Sequence, residues 1–539
     1  MVSSERHEQT SRCTLCPAGC ELGLARRGPE IWRTEYPLMG GRGLCPRGGA
    51  LGELLCHRSR IVAPGLRRDG ALHLAVMSSA VGAIVDAAGE GLTVLLDGNL
   101  PAEQIAAAAG WQDRWAQLKV CLVLPPAEEQ LLLGVEASGV DYLSSADLAS
   151  CDGFVIVGDA FAANPMCSRG VFDRRRAEPR TPIVVIDPAV GSAAKFASHR
   201  VAVAPGMELA ALASVAASAD VATGAVLSGE PAPSEAGAAI AQCRRLGVIL
   251  AAEHGRGAAW RQIGYLAGRL AAAKGGGVAV QTTGANALAA VRLGVRYGTV
   301  CLAEAMANDS DAKLVIGCDL AGMLGMLNLR VLGAAAALPN ATTAGATIVL
   351  PVAMPGEYAG TYLLDGGSRV WVRPVMPPPA GVPTADDLIG ALALAAGVRP
   401  EPVERRDSDL DRVDVPAPPP VEPPRPPRGP MLLLGRRADQ AGEGALTAHA
   451  AWQAAVQPVP ELRIAPADAE AAGIENFSIV TVRAANRAVK AAVKMTPELP
   501  PGVMVLPEGF PQARALLGAR VDDSIGAVAA SPAAVEVSA

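Results

Sequence analysis

The stretch CTLCPAGCELGLARRGPEIWRTEYPLMGGRGLCPRGG, Cys13 to Gly49, carries four cysteines as C-x2-C-x3-C, an interval of 24 residues, then C-P-R-G. Thiolates this closely spaced converge on one centre when a tight turn points successive side chains inward, and Gly19 beside Cys20 and Gly43 ahead of Cys45 supply the flexibility. Structural zinc usually takes two pairs of closely spaced ligands. Here three ligands stand together and the fourth stands alone before a proline, which favours a 4Fe-4S cluster on Cys13, Cys16, Cys20 and Cys45 over zinc or unliganded thiols. Arg47, two residues past Cys45, is a candidate for tuning the cluster potential and relaying electrons, against the alternative of an ordinary surface arginine. Cys56, in GELLCHRSR, lies in a helical pattern and reads as a core thiol.

Composition narrows what surrounds the motif. A chain of 539 residues is several times a typical domain, so three or four domains with well-buried cores are expected. A net charge of -6 on a sequence only 19% charged leaves no basic stripe for nucleic acid. The opening MVSSERHEQTSR has neither an apolar signal core nor a twin-arginine pair, which points to the cytoplasm. The longest uncharged run, Val331 to Gly356, contains Pro339, Asn340, Gly345, Pro351 and Pro355, so a buried sheet region is expected there and no membrane span. In a reducing compartment the eleven cysteines are not a disulfide framework, and the seven outside the motif read as small buried apolar side chains.

From about residue 92 to residue 400 short apolar runs alternate with longer amphipathic ones. LTVLLD, KVCLVL, GFVIVGD, TPIVVID, LGVILAA, GVAVQT, AKLVIG and ATIVLP each read as a buried strand, with alanine-rich helices between. This rhythm predicts an α/β fold, mainly parallel sheets covered by helices, in two lobes within residues 63–400 that are open to interleaving in sequence. An N-terminal cluster domain occupies residues 1–62. The tract VPAPPPVEPPRPPRGP places a proline-rich spacer over residues 401–430, which makes the remainder a separate folding unit, with a proline-rich ligand as the alternative reading. Residues 431–539 give short strands, one short helix and turns, as in a small β-barrel.

C-x2-C-x3-C-x24-C-P-R-G followed by RIVAPGLRRDG resembles the N-terminal cluster domain of the molybdopterin oxidoreductases, a family that includes formate dehydrogenases, nitrate reductases and the large iron-sulfur subunit of respiratory complex I. The resemblance continues through FVIVGDAFAANPMCSRGVF, the turn in GGGVAVQTTGANALAAVRLG, and ATIVLPVAMPGEYAGTYLLDGG with its V-L-P and E-x-x-G-T. It ends in IAPADAEAAGIENFSIVTV and PPGVMVLPEGF, which are similar to the dinucleotide-binding barrel, double-psi in type. It implies molybdopterin guanine dinucleotide with molybdenum or tungsten, cofactor contacts from Asp187, Asn286, Glu357, Gly360 and Thr361, and Arg47 between cluster and pterin.

Some positions depart from the family pattern. D-P-R is here Asp187, Pro188, Ala189, and no C-H-G-P segment supplies a metal thiolate. Cys121 falls near the expected interval and is a candidate metal ligand, although its alternating apolar neighbours suit a core strand; Cys167 is a weaker candidate of the same kind. His254, before G-R-G, could open a phosphate-binding turn or an ordinary strand-to-helix turn. The expected function is therefore an iron-sulfur redox subunit, with a pterin-bound metal acting on formate or a similar small substrate. The alternatives are a wiring subunit like that of complex I and a formylmethanofuran-dehydrogenase-like subunit, the latter disfavoured by the C-terminal barrel. With no second cysteine set and no flavin or complete G-x-G-x-x-G fingerprint, the chain needs partner iron-sulfur or flavin subunits, and Arg26, Arg27, Trp32 and Tyr36 are a candidate docking face.

Overall fold

All eight apolar runs are strands, and they sort into two sheets. The computed structural model of the chain describes every residue except 1–6, 28–29, 36–44, 90, 224–225, 229–230, 233, 253–258, 309–310, 400–405, 424, 426–429, 438–444, 485, 523–526, 531–532, 535 and 539. The sheet of the first lobe runs, edge to edge, Ala71–Leu74, Gly65–Arg68, Ala346–Pro351, Val331–Ala336, Ala312–Ile316, Leu92–Asp97, Leu118–Val123. Its last five strands are parallel, and the hairpin before them adds an antiparallel edge. The second lobe is a five-stranded parallel sheet ordered His199–Val201, Ile183–Ile186, Gly153–Val157, Leu246–Leu250, Gly277–Val280. Its strands lie in sequence between Leu118–Val123 and Ala312–Ile316 of the first lobe, so the second lobe is an insertion into the first.

Helices cover both faces of each sheet, which is why the strands read as continuous apolar runs. Successive residues still alternate between two cores: Val94 and Leu96 enter one, Leu95 the other. In the second lobe Val155 and Val157 are divided from Phe154 and Ile156 in the same way. The central strand Val331–Ala336, VLGAAA, escapes the hydrophobic signal because glycine and alanine are poor strand formers; its neighbours on both sides hold it in place.

Numbered along the chain, the parallel strands stand 5-4-3-1-2 in the first lobe and 3-2-1-4-5 in the second. Each order reverses once, beside Leu92–Asp97 in the first and beside Gly153–Val157 in the second. The helices leaving on either side of such a point diverge and open a crevice at the carboxyl ends of the strands. The lobes meet through the helices Pro126–Ser138 and Trp260–Ala273. A Cβ on Gly134 would strike the carbonyl oxygen of Arg261, one on Gly264 that of Leu131, and one on Gly268 the hydroxyl of Ser138. Close backbone approach thus requires glycine at positions 134 and 264, while Gly268 leaves room for the Ser138 side chain.

Ahead of the lobes, His7–Arg12, Glu21–Arg27 and Glu30–Glu35 form a three-stranded antiparallel sheet, followed by the helix Pro46–Leu55. At the other end a mixed seven-stranded sheet is bounded by Ala533–Ala534 on one edge and Glu536–Ser538 on the other. A single residue separates these segments in sequence, so the sheet must curl until its two edges meet. The unit is not separate from the rest: Ala450, Leu446 and Trp452 pack into the core that holds the cysteines, and the His449 ring stands 5.4 Å from that of His57.

A spacer is expected over residues 401–430, but the described residues 406–423 of that tract include a stretch packed against the lobes. Leu410 is fully buried in the core of the first lobe, Arg292 donates to its carbonyl at 2.8 Å, and Val413 N donates to Glu136 at 3.3 Å. Farther on, Gln262 donates to the Pro419 carbonyl at 3.1 Å, and Val421 exchanges backbone bonds of 3.0 and 2.9 Å with Val226 and Ser228. Proline prevents helix formation and leaves carbonyls pointing outward, and side chains of both lobes bind them. The segment is a strap. Among the described residues no helix is long and apolar enough to cross a membrane, and the run Val331 to Gly356 contains two strands of the first sheet, as its prolines and glycines imply.

Glycine substitutions test this packing. Gly264→Leu should destabilise the protein by about 3 kcal/mol or more through overpacking against backbone, lowering the thermal midpoint by several degrees. Gly82→Ala and Gly390→Ala, in helices where an added Cβ meets nothing within 4 Å, should each raise stability by about 0.5–1 kcal/mol.

Candidate functional site

Three of the four motif cysteines lie in one hairpin. Cys13 follows the first strand, Cys20 precedes the second, and Cys13 N donates to the Cys20 carbonyl at 2.7 Å, closing a loop with Cys16 inside it. Gly19 has φ +55, in the left-handed region, and a Cβ there would strike Leu364. Asp365 N donates to the Pro17 carbonyl at 2.7 Å, while the Asp365 carboxylate takes Ser145 N and Oγ, both at 2.7 Å, so the loop is tied to both lobes. Cys45 is the N-cap residue of the helix Pro46–Leu55, with proline at the first helical position, where a missing N–H costs nothing.

All four thiols are buried. Burial and then its neighbours Cys16, Cys20 and Cys45 hold the Cys13 thiol well above its ordinary pKa. Burial also raises Cys16, while the charge of Arg47 and a hydrogen bond from it pull the other way. Among the described residues no group of three or more His, Cys, Asp or Glu side chains is placed to hold a metal ion. Such thiols can ionise only against strong positive charge.

Arg47 is buried. It donates to the Ala163 carbonyl at 2.6 Å, to that of Ala162, and to that of Arg437 at 3.3 Å. One guanidinium therefore joins the cysteine unit, the second lobe and the C-terminal unit, a role a surface arginine could not play. A second fastener lies nearby in sequence: Arg436 donates to Glu128 at 2.7 Å and to the Ala252 carbonyl. Glu128 also accepts from Thr283 N at 2.8 and 3.0 Å and from its hydroxyl at 3.1 Å. Burial raises the Glu128 pKa and Arg436 opposes the rise.

The main cleft, with about 1050 Å³ of empty space including its mouth, opens at the reversal point of the first sheet. Asp97 and Asn99 follow one strand, and Gly317, Cys318 and Asp319 follow its neighbour. Thr14 and Leu15 of the cysteine hairpin form part of the wall, as do Met354 and Tyr358 of the first lobe and Ala445 and Leu446 of the C-terminal unit. Gly284 and Gly317 bring backbone close to the acid end, since a Cβ on either would meet Asn99 or Asp97. Burial raises the Asp97 carboxyl to about 6, although Asn99 N and Nδ2 donate to it at 2.9 and 3.1 Å.

Of the residues implied as cofactor contacts, Asn286, Glu357, Gly360 and Thr361 stand behind this lining, and Asp187 stands apart from it. Asn286 donates to the carbonyls of Leu100 at 2.7 Å and Thr361 at 3.3 Å and accepts from Leu363 N at 2.9 Å, bracing the cleft residue Leu100. Glu357 holds Arg60 through two bonds, 2.7 and 2.9 Å, and accepts from Met354 N at 2.9 Å. Thr361 N donates to Glu103 at 2.7 Å, and Gly360 lies so close to Pro101 that a Cβ would collide with it. Asp187 accepts from Ala189 N at 2.8 Å and Gly191 N at 2.5 Å, and shapes a loop whose Ala189 packs against Leu433 and Val505 of the C-terminal unit. The departure from arginine at position 189 thus fills an apolar contact.

Cys121 does not line the cleft. It is fully buried with Leu95, Val123 and Val315, where desolvation pushes its thiol up; its strand neighbours Val120 and Leu122 face the opposite core. That is the setting of a core thiol. Cys167 is likewise buried, with its thiol 3.6 Å from the Ala160 carbonyl. His254 and its G-R-G lie outside the described residues, as do Tyr36 and the side chains of Arg26, Arg27 and Trp32.

Four loop-organising aspartates went unread as a set. VLLD, VIVGD, VVID and VIGCD each place an aspartate at the end of a strand or one to three residues past it: Asp97, Asp159, Asp187 and Asp319. Asp159 accepts from Ser192 N at 2.9 Å and Oγ at 2.5 Å and from Ala162 N at 3.3 Å; burial and then the nearby Asp187 raise its pKa. Asp319 accepts from Thr342 N and Oγ1 at 2.9 and 2.8 Å and from Gly322 N at 3.2 Å. Strand-terminal aspartate recurring four times is a signal of loops built at the carboxyl edge.

Comparison with known proteins bears on this arrangement. Residues 431–536 match the molydopterin dinucleotide binding domain. A nitrate reductase from Klebsiella oxytoca is 27% identical over 221 residues, which cover 37% of this chain and only a quarter of that protein. In fold, the chain is similar to acetylene hydratase from Pelobacter acetylenicus, with a TM-score of 0.67 over 98% of this chain and 100% of that one at 12% identity. A C-terminal domain that matches the molydopterin dinucleotide binding domain is thus fastened over a cleft at the strand ends of two parallel-rich lobes, in a chain whose fold is similar to that of acetylene hydratase.

Proposed function

We propose that the chain is the redox subunit of an oxidoreductase in which Cys13, Cys16, Cys20 and Cys45 hold a 4Fe-4S cluster that passes electrons between a pterin-bound metal in the main cleft and a partner iron-sulfur or flavin protein. The observation that carries this reading is that Thr14 and Leu15, between the first two cysteines, are themselves wall of the cleft. A cluster on the hairpin would therefore border whatever the cleft holds. What supports a cofactor here is that the cleft lies at the strand ends, glycines bring backbone to its acid end, and the C-terminal unit that matches a dinucleotide-binding domain closes one side. A pterin-bound molybdenum or tungsten, when present, supplies the redox chemistry on a small substrate such as formate.

The chain's own residues do the rest. Arg47 fixes the cluster helix to the second lobe and places its charge beside Cys16. Asp97 keeps a proton to about pH 6 at the closed end of the cleft, and Asn99 orients it. The alternative of a wiring subunit without substrate chemistry is favoured by one observation, the burial of Cys121 away from the cleft. Molybdenum or tungsten near one per chain in anaerobically purified protein is expected on the first reading; its absence beside a full complement of iron would select the second.

Anaerobically isolated protein should contain about four iron and four labile sulfides per chain. Cys45→Ser should lose most of this iron and the visible absorption, whereas Cys56→Ser, at an exposed thiol, should keep both. Zinc in place of iron, or an intact cluster in Cys45→Ser, would refute the assignment.

Asp97 gives a pH test. Its folded pKa lies above the unfolded value, so the folded state takes up a proton between about pH 4 and 6 and the stability contribution of Asp97 is lost as pH rises through about 6. Asp97→Asn keeps the acceptor oxygen for Asn99 and removes the buried charge. It should therefore raise the thermal midpoint at pH 8 and leave it nearly unchanged at pH 4; equal effects at both values would show that the carboxyl is not the cause.

A further inference from the structure

The segment ALHLA, Ala71 to Ala75, reads the same in both directions. It supplies the edge strand Ala71–Leu74 of the first-lobe sheet, joined to Gly65–Arg68 by the turn at Asp69 and Gly70, and among the described residues no strand pairs with its other side. Every residue of this strand is exposed. Leu74 is 86% exposed, Val76 65% and Leu72 49%, and Val62, shortly ahead of the hairpin, is 50% exposed. Ala75 N donates to the Pro64 carbonyl at 3.0 Å. Antiparallel partners alternate between hydrogen-bonded and open pairs, so Ala71, His73 and Ala75 turn their backbone groups toward Gly65–Arg68, and Leu72 and Leu74 turn theirs outward.

An edge with outward N–H and C=O groups is a template for further pairing, and proteins blunt such edges with lysine, proline, other charges or a bulge. Residues 71–76 contain no lysine, arginine, acid or proline, and the pairing with Gly65–Arg68 has no shift of register. A palindromic strand is its own complement. With a two-fold axis at His73, antiparallel pairing sets Leu72 against Leu74 of a second copy and Leu74 against its Leu72, each as a pair that exchanges both main-chain bonds. All these leucines then share one face. The same register brings Asp69 level with Met77 of the second copy, the first residue of the helix Met77–Ala88. That helix start has no side-chain cap and no acid in its first turn, so the Asp69 carboxylate answers its partial positive charge across the axis.

We propose that Ala71–Leu74 is a homodimer interface, at which two copies of the chain pair about an axis at His73 and join their seven-stranded sheets into one. The occupant is a second copy because the palindrome, the outward bonds and the Asp69 charge all satisfy themselves under the same rotation. Strand pairing buries less than the ~1,600 Å² of a standard interface, so the dimer is weak, with a Kd of about 1–100 μM. The edge stands five strands from Leu92–Asp97, where the sheet reverses and the main cleft opens, a distance of about 24 Å at ordinary strand spacing. Pairing therefore does not depend on what the cleft holds.

The test is sedimentation velocity on the full chain over a range of concentrations. Wild type should pass from monomer to dimer as concentration rises, and Leu74→Lys should weaken the dimer at least about tenfold, as lysine on an edge strand does, while the thermal midpoint of the dilute monomer stays unchanged. A second variant reports the register. His73 faces its copy as an open pair with Cα atoms about 4.5 Å apart, within reach of a disulfide, so His73→Cys in a Cys56→Ser background should form a covalent dimer on mild oxidation and lose it when Leu74→Lys is added. A wild type that stays monomeric at about 100 μM, or a dimer of equal affinity in Leu74→Lys, overturns the proposal. So does a monomeric wild type that binds a different protein through this edge and loses it in Leu74→Lys, which would assign the edge to a foreign strand.

Discussion

The contact between Arg436 and Glu128 fixes where everything else in this molecule can stand. Its two ends belong to bodies with separate hydrophobic cores, the C-terminal unit and the first lobe, and Thr283 and Ala252 of the second lobe share it. Both charges are almost fully buried. A pair in that position adds little over apolar packing, but removing either partner strands a charge at a cost of about 3–5 kcal/mol. It therefore joins the three bodies at one buried point. Arg47, reaching the second lobe and the residue next to Arg436, extends the same constraint to the cysteine hairpin.

That arrangement brings strand ends, hairpin and C-terminal unit around one space. The reversal of strand order leaves a gap because the flanking helices diverge. Aspartates at the strand ends then shape the loops, each accepting backbone N–H groups that would otherwise be buried without partners. The cleft follows from sheet topology, and the side chains that line it can vary without altering its position.

The βαβ rhythm and the cysteine hairpin were legible because each rests on a local pattern: apolar runs in strands covered on both faces, and thiols within one loop. What escaped reading depends on distance in the fold. Val331–Ala336 is a strand because of its neighbours, and nothing in VLGAAA announces it. Asn286, Glu357, Gly360 and Thr361 stood out by resemblance, yet their bonds go to other parts of the wall, which a linear motif cannot distinguish from contact with a ligand. Arg514 sits among alanines and leucines in PQARALLG, and only the packing of Leu320–Leu324 against its helix reveals that its charge is buried. The proline tract has the composition of a spacer, but composition does not tell whether carbonyls face water or the side chains of a neighbouring lobe.

The strap over residues 406–421 has a consequence for access. It crosses from the buried Leu410 to the bridge between Val421 and Leu227 and so ties the lobes together on the side where Arg292 and Gln262 hold it. The glycine contact between Pro126–Ser138 and Trp260–Ala273 locks them again. Two lobes latched twice do not part like jaws. The contacts of the C-terminal unit, Arg436 with Glu128 among them, therefore bear on the cleft more directly than any movement between the lobes.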